Sequence, residues 1–491
     1  MKAKVYIVGA GPGDPTLITR KAWEVLQNAE VIVYDRLVGE AIVSLFPHGA
    51  ECIDVGKEPE NHPFPQEAIQ ELLKKKAQEG KRVVRLKGGD PFIFGRGGEE
   101  VLSLIREGIE VEVVPGLSSA LAVPALAGIP LTHRGVSTSF MVVSGHDPEN
   151  LEWEAMARFS GTIVVLMGAK NLRTLTEGFQ KWGKPTSLPA SLIMEGATTR
   201  QRVLVGTLGD IAEKAERAGF RNPLVLVVGE VVSLREYLSF WEKRPLFGKR
   251  ILVTGTTMDS FAFPSLSTLG AEVFRYPTVR IEFDHQSLEE LYQKVPSCHL
   301  LFFSSKNAVM AFRSFMQSYR FDMRNLVGIS LAAVGRKTAQ ELESMSLYPD
   351  YLPSSFTASA LSEVLPEGRG KLALILTSQI GGEEGSKVLA EKGYRTEKIA
   401  LYRSLPNWEV KDRIRVVLRS GVDAVVFSSP SSFQYLEEML EESRALLNGV
   451  YLVAIGPTTA RFIHRRGFHV VDLPEEYTLE GVEKALLARW R

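Results

Sequence analysis

Residues 84–100 limit what this chain can fold into more than any other stretch: Val-Arg-Leu-Lys-Gly-Gly-Asp-Pro-Phe-Ile-Phe-Gly-Arg-Gly-Gly-Glu-Glu. Val83, Val84 and Leu86 are β-formers, and the run they start halts at Gly88-Gly89. Paired glycines reach backbone angles closed to other residues and let a ligand touch the main chain. Asp90 sets a carboxylate where the strand ends, and Pro91 stiffens the turn. Gly95, Gly97 and Gly98 then surround Arg96, and Glu99-Glu100 open a helix with negative charge at its positive end. Strand, glycine turn and helix make the repeating unit of an α/β sheet, and the carboxyl edge of such a sheet is where ligands bind. Phe92, Ile93 and Phe94 are too apolar for a solvated loop, so the stretch reads as a cradle.

At 491 residues the chain exceeds one core and predicts roughly three or four domain-sized units. Its 58 basic and 58 acidic side chains balance, which argues against nucleic acid as a partner and leaves any anionic ligand to local Arg and Lys clusters. Two cysteines far apart, Cys52 and Cys298, suit a reducing cytosol and exclude a disulfide framework. The eight histidines form no spaced ligand pattern, so no metal is expected. No apolar run approaches membrane-spanning length, and the apolar residues before Gly9 are too few for a signal peptide. A cytoplasmic protein without membrane contact is expected.

Residues 4–8 read as an apolar strand followed by Gly9-Ala10-Gly11-Pro12-Gly13-Asp14-Pro15 and a helix over 19–29. Pro12 and Gly13 break the spacing to a third glycine that a dinucleotide fingerprint needs, which argues against NAD. Residues 31–34 form a second strand ending in Asp35-Arg36, and 53–55 deliver Gly56-Lys57 to the same edge. Asp35 reads either as a ligand-facing carboxylate or as a cap for the segment from Gly39. Residues 111–114 lead into Pro115-Gly116-Leu117-Ser118-Ser119, two hydroxyls at a helix start, suited to capping or to an anion. After Ile129-Pro130-Leu131-Thr132-His133-Arg134 the pattern restarts, with strands at 140–143, 162–167, 190–193 and 224–228 and helices near 172–182 and 211–218.

Together, residues 9–14, 34–38, 84–100, 115–119 and 128–134 resemble the uroporphyrinogen-III C-methyltransferases, over residues 1 to about 243. The resemblance implies the class III (tetrapyrrole) methyltransferase fold of two α/β subdomains, about 1–114 and 115–243. It also implies S-adenosyl-L-methionine (SAM) bound between them, S-adenosyl-L-homocysteine as product, and a homodimer through this half. Carried over by motif, cofactor contacts fall on Pro12, Gly88, Gly89, Asp90, Ile93, Ser118, Ser119, Met167 and Gly196; many relatives have Ala in place of Ser119. The implied proton acceptor and donor are Asp35 and Lys57. A porphyrinogen pyrrole is electron-rich and can attack the methyl group directly, so the protein supplies alignment and proton removal. Arg36, Arg96 and Arg134 are candidates to grip the substrate's carboxylate arms.

Residues 244–248, with Arg244, Pro245 and Gly248, read as a linker. Beyond it the chain repeats itself: Leu300-Leu301-Phe302-Phe303-Ser304-Ser305 matches Ala424-Val425-Val426-Phe427-Ser428-Ser429, and residues 331–339 match 452–460. Thr254 pairs likewise with Thr377 and Gly270 with Gly393, so all offsets fall between 121 and 124 residues. A duplicated α/β domain is predicted. Ser304, Ser305, Ser428, Ser429, Thr458 and Thr459 each lie between a strand and a helix, where free N–H groups and hydroxyls host carboxylates. Residues 249–491 resemble uroporphyrinogen-III synthase, whose two domains are discontinuous; the resemblance implies domains at about 249–280 plus 405–491, and 281–404. It implies cyclisation of hydroxymethylbilane with inversion of the last pyrrole, Tyr402 assisting loss of the hydroxyl and Thr458 and Thr459 holding substrate arms. Gly255 and the surroundings of Ser378 depart from the family, which usually has arginines there, leaving Lys306, Arg336 and Arg403 as candidate cations.

Both resemblances meet at one metabolite. The combined reading is a bifunctional enzyme that makes uroporphyrinogen III and methylates it at positions 2 and 7 to precorrin-2, on the sirohaem and cobalamin branch. Two alternatives stay open on sequence grounds: a C-terminal half that binds tetrapyrroles without catalysis, and an N-terminal half that methylates a later corrin precursor.

Overall fold

The computed structural model describes residues 4–56, 65–258, 264–354, 358–469 and 473–490, which form four β-sheets. The first holds β1 (Lys4–Gly9), β2 (Val31–Tyr34), β3 (Glu51–Asp54), β4 (Arg82–Lys87) and β5 (Glu110–Val114), all parallel, in the order β3-β2-β4-β1-β5. One face packs Val8, Tyr34 and Leu86 on the helix Arg20–Gln27; the other packs Val5, Ile7 and Val83 on the helices Gln66–Gln78 and Gly97–Arg106. Strands buried on both faces carry near-continuous apolar runs; residues 5–8 of β1 and all of β2 do so, whereas β4 interrupts its run with Arg85 and Lys87. The connection leaving β1 crosses β4 to reach β2, whereas the one leaving β4 crosses β1 to reach β5. The switch point therefore lies between β1 and β4.

The second sheet holds β6 (Phe140–Ser144), β7 (Thr162–Leu166), β8 (Pro189–Met194), β9 (Arg202–Thr207) and β10 (Leu224–Val228) in the order β6-β7-β10-β8-β9. Only β6 and β7 pair in parallel. The helix Ser119–Leu126 leaves the first sheet and buries Ala120 and Val123 against Val164, Ile193 and Val225 of the second. The helices expected near 172–182 and 211–218 run Leu172–Lys181 and Ile211–Arg217.

The third sheet, in the order β12-β11-β18-β19, joins β11 (Arg250–Val253) and β12 (Glu272–Arg275) to β18 (Ala424–Phe427) and β19 (Tyr451–Ala454). The fourth is built from what lies between: β13 (Val279–Phe283), β14 (Leu300–Phe303), β15 (Ser330–Ala333), β16 (Leu372–Ser378) and β17 (Arg395–Pro406), in the order β13-β17-β16-β14-β15. Apart from the edge strand β13, the orders correspond position by position, so the sequence repeat is a structural one. It is not the sheet, however. The first repeat supplies β11–β12 and β14–β15, and the second supplies β16–β17 and β18–β19. Each sheet thus takes one pair of strands from each repeat, and the chain must cross twice. The crossings pair with each other: β13 lies antiparallel to β17, Val279 opposite Pro406 and Phe283 opposite Tyr402.

The expected linker is packed rather than loose. Arg244 lies 3.4 Å over the Trp241 ring, Leu246 is fully buried in the core of the third sheet, and Gly248 N donates to Thr199 Oγ1 at 2.5 Å. The two halves also meet at the helix Glu40–Val43, where Ala41 joins the core beneath β12 and Glu40 accepts hydrogen bonds from Tyr276 and Arg413.

Candidate active sites

Three glycine turns converge at the switch point of the first sheet. Gly11 and Gly89 bridge like a two-residue ladder, Gly89 N to Gly11 O at 2.7 Å and Gly11 N to Gly89 O at 3.2 Å. A Cβ on Gly9 would lie 2.6 Å from both Gly89 O and Gly116 Cα, and one on Gly116 would lie 2.3 Å from Gly89 O. No side chain fits there, so the loops after β1, β4 and β5 present bare backbone. Asp90 ties two of them together: Oδ1 accepts from Phe92 N at 2.8 Å and Oδ2 from Gly116 N at 3.1 Å. Ser118 is buried and caps the next helix through Ala120 N, with Ser119 as its first residue. Pro12 is half-buried in the β1 loop, and Ile93 stands 40% exposed beside Asp90.

The second sheet closes on this floor. Gly196 follows β8, and a Cβ there would lie 2.3 Å from Val123 Cγ1 on the helix that leaves the β5 loop. A Cβ on Gly13 of the β1 loop would lie 3.5 Å from Thr198 Cγ2. Met167, just past β7, is 45% exposed with a left-handed backbone (φ 58°). Gly88, Gly89, Asp90, Ser118 and Ser119 are therefore brought together around the switch point, and Gly196 lies against the helix that Ser119 starts.

Asp35 follows β2 at the same edge. Arg85 Nη2 donates to its Oδ1 at 2.6 Å, and Lys87 Nζ lies 3.7 Å from Oδ2. It makes no cap bond to the next turn, so the capping reading of Asp35 fails. Gly56 packs directly on the Arg36 backbone, where a Cβ would lie 2.2 Å from Arg36 N; the next residue, Lys57, lies outside the described residues. Arg36, Arg96 and Arg134 are all exposed. Arg96 is engaged with Glu99, Nη2 to Oε2 at 2.7 Å, and the pairing holds the Glu99 carboxyl below its ordinary range. Glu100, expected as a helix-end charge, is wholly buried against Arg85 and Lys87. That cluster is the largest feature the residue pattern leaves unread.

In the C-terminal half each predicted hydroxyl pair sits at the start of a helix. Ser305 Oγ accepts from Ala308 N at 3.1 Å and caps the helix Lys306–Ser318; Ser429 forms a reciprocal capping box with Ser432 on the helix Pro430–Leu440. Ser304 Oγ donates to Leu376 O at 3.0 Å, and Ser428 is half-buried at the equivalent strand end. Thr458 is exposed and Thr459 buried in the first turn of the helix Pro457–Arg465. Tyr402 lies on crossing strand β17, 7% exposed, with its hydroxyl 2.9 Å from Ser305 Oγ. Of the candidate cations, Arg403 is paired with Glu282 at 2.8 Å and Arg336 is exposed.

Among the described residues no group of His, Cys, Asp and Glu is arranged to hold a metal ion, and no helix is long and apolar enough to cross a membrane.

A family model described as Tetrapyrrole (Corrin/Porphyrin) Methylases matches residues 4–212, and one described as Uroporphyrinogen-III synthase HemD matches residues 264–483. The chain is similar over nearly its whole length to the porphyrin biosynthesis protein HemD of Ruminiclostridium josui, at 34% identity across 98% of this chain and 97% of that one. It is 52% identical to the S-adenosyl-L-methionine-dependent uroporphyrinogen III methyltransferase of Methanosarcina barkeri, over 48% of this chain and 94% of the relative. With the uroporphyrinogen-III C-methyltransferase of Bacillus subtilis it shares 39% identity over 69% of this chain and 71% of the relative.

Proposed function

The chain belongs to the family that joins a tetrapyrrole methylase to a uroporphyrinogen-III synthase in one polypeptide, and on that premise we propose which residues carry the two reactions. It is a bifunctional enzyme of tetrapyrrole biosynthesis. Residues 249–491 cyclise hydroxymethylbilane to uroporphyrinogen III with inversion of the last pyrrole. Residues 1–243 then methylate that ring at positions 2 and 7 to precorrin-2, for sirohaem or cobalamin.

The observation that carries the methyltransferase reading is the side-chain-free floor made by Gly9, Gly89 and Gly116 at the switch point. Such a floor suits a cofactor that must lie close against the main chain with no side chain in the way. SAM supplies an electrophilic methyl group, and Pro12, Gly88, Gly89, Asp90, Ile93, Ser118, Ser119, Met167 and Gly196 hold it. A ring carbon forms the new C–C bond with its own electron pair, and the methyl–sulfur bond breaks with its pair remaining on sulfur. The cation so formed regains neutrality by losing a proton from a neighbouring carbon. Asp35 accepts that proton, and Lys57 is the proton donor that the motif implies. Arg36, Arg96 and Arg134 bind the carboxylate arms, Arg96 exchanging Glu99 for a substrate carboxylate.

In the synthase half, helix N-termini at Ser304-Ser305, Ser428-Ser429 and Thr458-Thr459 bind the arms of the linear substrate. Tyr402 assists departure of the hydroxyl as water. A homodimer through the methyltransferase half, no metal requirement and a cytoplasmic location complete the reading. The test is the intact chain with hydroxymethylbilane and SAM, products followed by mass and isomer. A dimethylated type III ring is expected. Only the unrearranged type I ring would remove the synthase assignment, and a type III ring that stays unmethylated would remove the methyltransferase assignment.

A further inference from the structure

Strand β4 breaks the rule its neighbours keep. On the face that holds Val83 it places Arg85 and Lys87, 1% and 5% exposed, where parallel strands carry apolar residues. Glu100 reaches both from the first turn of the helix Gly97–Arg106. Its Oε1 accepts from Lys87 Nζ at 2.9 Å, Gln66 Nε2 at 3.0 Å and Arg85 Nε at 3.2 Å. Arg85 spans the distance to the sheet edge: Nη1 lies 3.4 Å from Val33 O and from Leu86 O, and Nη2 donates to Asp35 Oδ1 at 2.6 Å. Two cations and two anions thus run in one neutral line from the core to Asp35.

Three buried charges and a half-buried one are a poor way to stabilise a fold, because desolvation offsets their attraction and apolar replacements of equal volume are often neutral or stabilising. Glu100 Oε2 has no hydrogen-bond partner, which adds to the cost. The return is geometric. A planar guanidinium held at several points cannot swing, so the carboxylate oxygen it grips is fixed as well. Oδ2 of Asp35, on a side chain 30% exposed, has Lys87 Nζ at 3.7 Å and is the less tightly held oxygen of the two.

We infer that Arg85 is a positioning residue for methyl transfer: it aims the Asp35 carboxylate, and Glu100 with Lys87 holds Arg85 in place. The inference rests on Asp35 as proton acceptor. Its test is the full-length double variant Arg85→Met/Glu100→Met, which removes one charge of each sign and keeps the cluster neutral. Methyl transfer to preformed uroporphyrinogen III should lose about 100-fold in kcat, the scale of a misplaced catalytic group, with KM for SAM and for the tetrapyrrole within about threefold. Arg85→Lys, which keeps the charge but not the fork, should recover part of that loss. A structural role alone would lower the amount of folded enzyme and leave kcat per SAM-binding site unchanged, and that result overturns the inference. Where the double variant binds no SAM, Glu100→Gln decides on the same criterion: lowered kcat with SAM binding intact supports the inference, and unchanged kcat overturns it. Asp35→Asn separates the two layers. If it keeps full turnover, the proton-acceptor reading fails; if it abolishes turnover while the Arg85 and Glu100 variants do not, only the positioning role fails.

Discussion

The two clefts of this enzyme are made from opposite materials. At the methyltransferase edge side chains are removed, so that Gly9, Gly89 and Gly116 touch through backbone, and a line of buried charges stands behind Asp35. At the synthase edges side chains are added, a hydroxyl at each helix start, and the strands behind them are apolar to their last residue: Phe303 and Phe427 are fully buried. On the proposed roles, the difference follows from what each must hold. A methyl group moves only along the line of carbon and sulfur, and small misalignments are costly. The linear tetrapyrrole is flexible and carries many carboxylates, so several weak anchors on two lobes serve it better than one rigid floor. Duplication supplies such anchors in pairs, and exchange of strand pairs between repeats keeps the lobes joined through β13 and β17.

The sharpest way to break the comparison is to add one methyl group. Gly116→Ala would place a Cβ 2.3 Å from Gly89 O and 2.8 Å from Gly9 C. Backbone cannot yield as a side-chain end does, so the turns must move apart, and the distorted floor should lose about 100-fold in SAM affinity, measured by equilibrium binding. Synthase turnover in the same protein should not change. Gly98→Ala is the control, since a Cβ there meets nothing within 4 Å and binding should stay as it is. If both variants bind SAM like the parent, the floor is not the cofactor site.

Next in size is Tyr402→Phe. Loss of its hydroxyl removes the 2.9 Å contact to Ser305 and the proposed aid to the leaving group. Synthase turnover should fall about tenfold, at the low end for a group that assists proton transfer, while methyl transfer is unaffected. A product analysis showing parental turnover would reduce Tyr402 to a brace between crossing strand and helix.

Much of this was open to reading from residues. The strand ends, the glycine turns and the near-123-residue repeat are local signals, and each marks a real strand-to-helix junction. The exchange of strand pairs between sheets is not local: an offset records that two segments are alike, not which of them pair. The buried line behind Asp35 was half visible. Arg85 and Lys87 alternate with apolar residues in a strand with no solvent face, so counter-ions had to exist; that one is Glu100, from the next helix, is a fact of packing. Arg96 was legible by position but not by partner: its loop offers it to a ligand, and the structure pairs it with Glu99.

Smaller effects distinguish the repeats from each other. Ser305→Ala loses a helix cap and the partner of Tyr402, whereas Ser429→Ala loses only one side of a capping box. Each cap is worth about 1 kcal/mol, so Ser305→Ala should lower the denaturation midpoint of the synthase half more than Ser429→Ala does. Equal shifts would mean that the contact to Tyr402 contributes nothing.

The smallest expected effect lies where the two halves meet. Tyr276, 5% exposed, donates its hydroxyl proton to Glu40, which also takes Arg413 Nη1 at 3.3 Å. Burial, and then the Glu40 charge, push the phenol well above its ordinary value of 10. The sign follows: below pH 10 folded and unfolded chains both keep this proton, and ionisation contributes no difference. Above pH 10 the unfolded chain releases it first, so the folded state loses stability as pH rises. Tyr276→Phe should abolish that alkaline dependence and, at neutral pH, cost about 1 kcal/mol in the docking of the halves, read from the midpoint of denaturant unfolding. Both turnovers should remain within about twofold of the parent, because Tyr276 belongs to neither cleft and substitutions away from a working site leave its barrier alone. A larger drop in methyl transfer would mean that the synthase half, through Glu40 and the helix that starts there, helps to set the Asp35 edge, and the two clefts would then differ in material but not in independence.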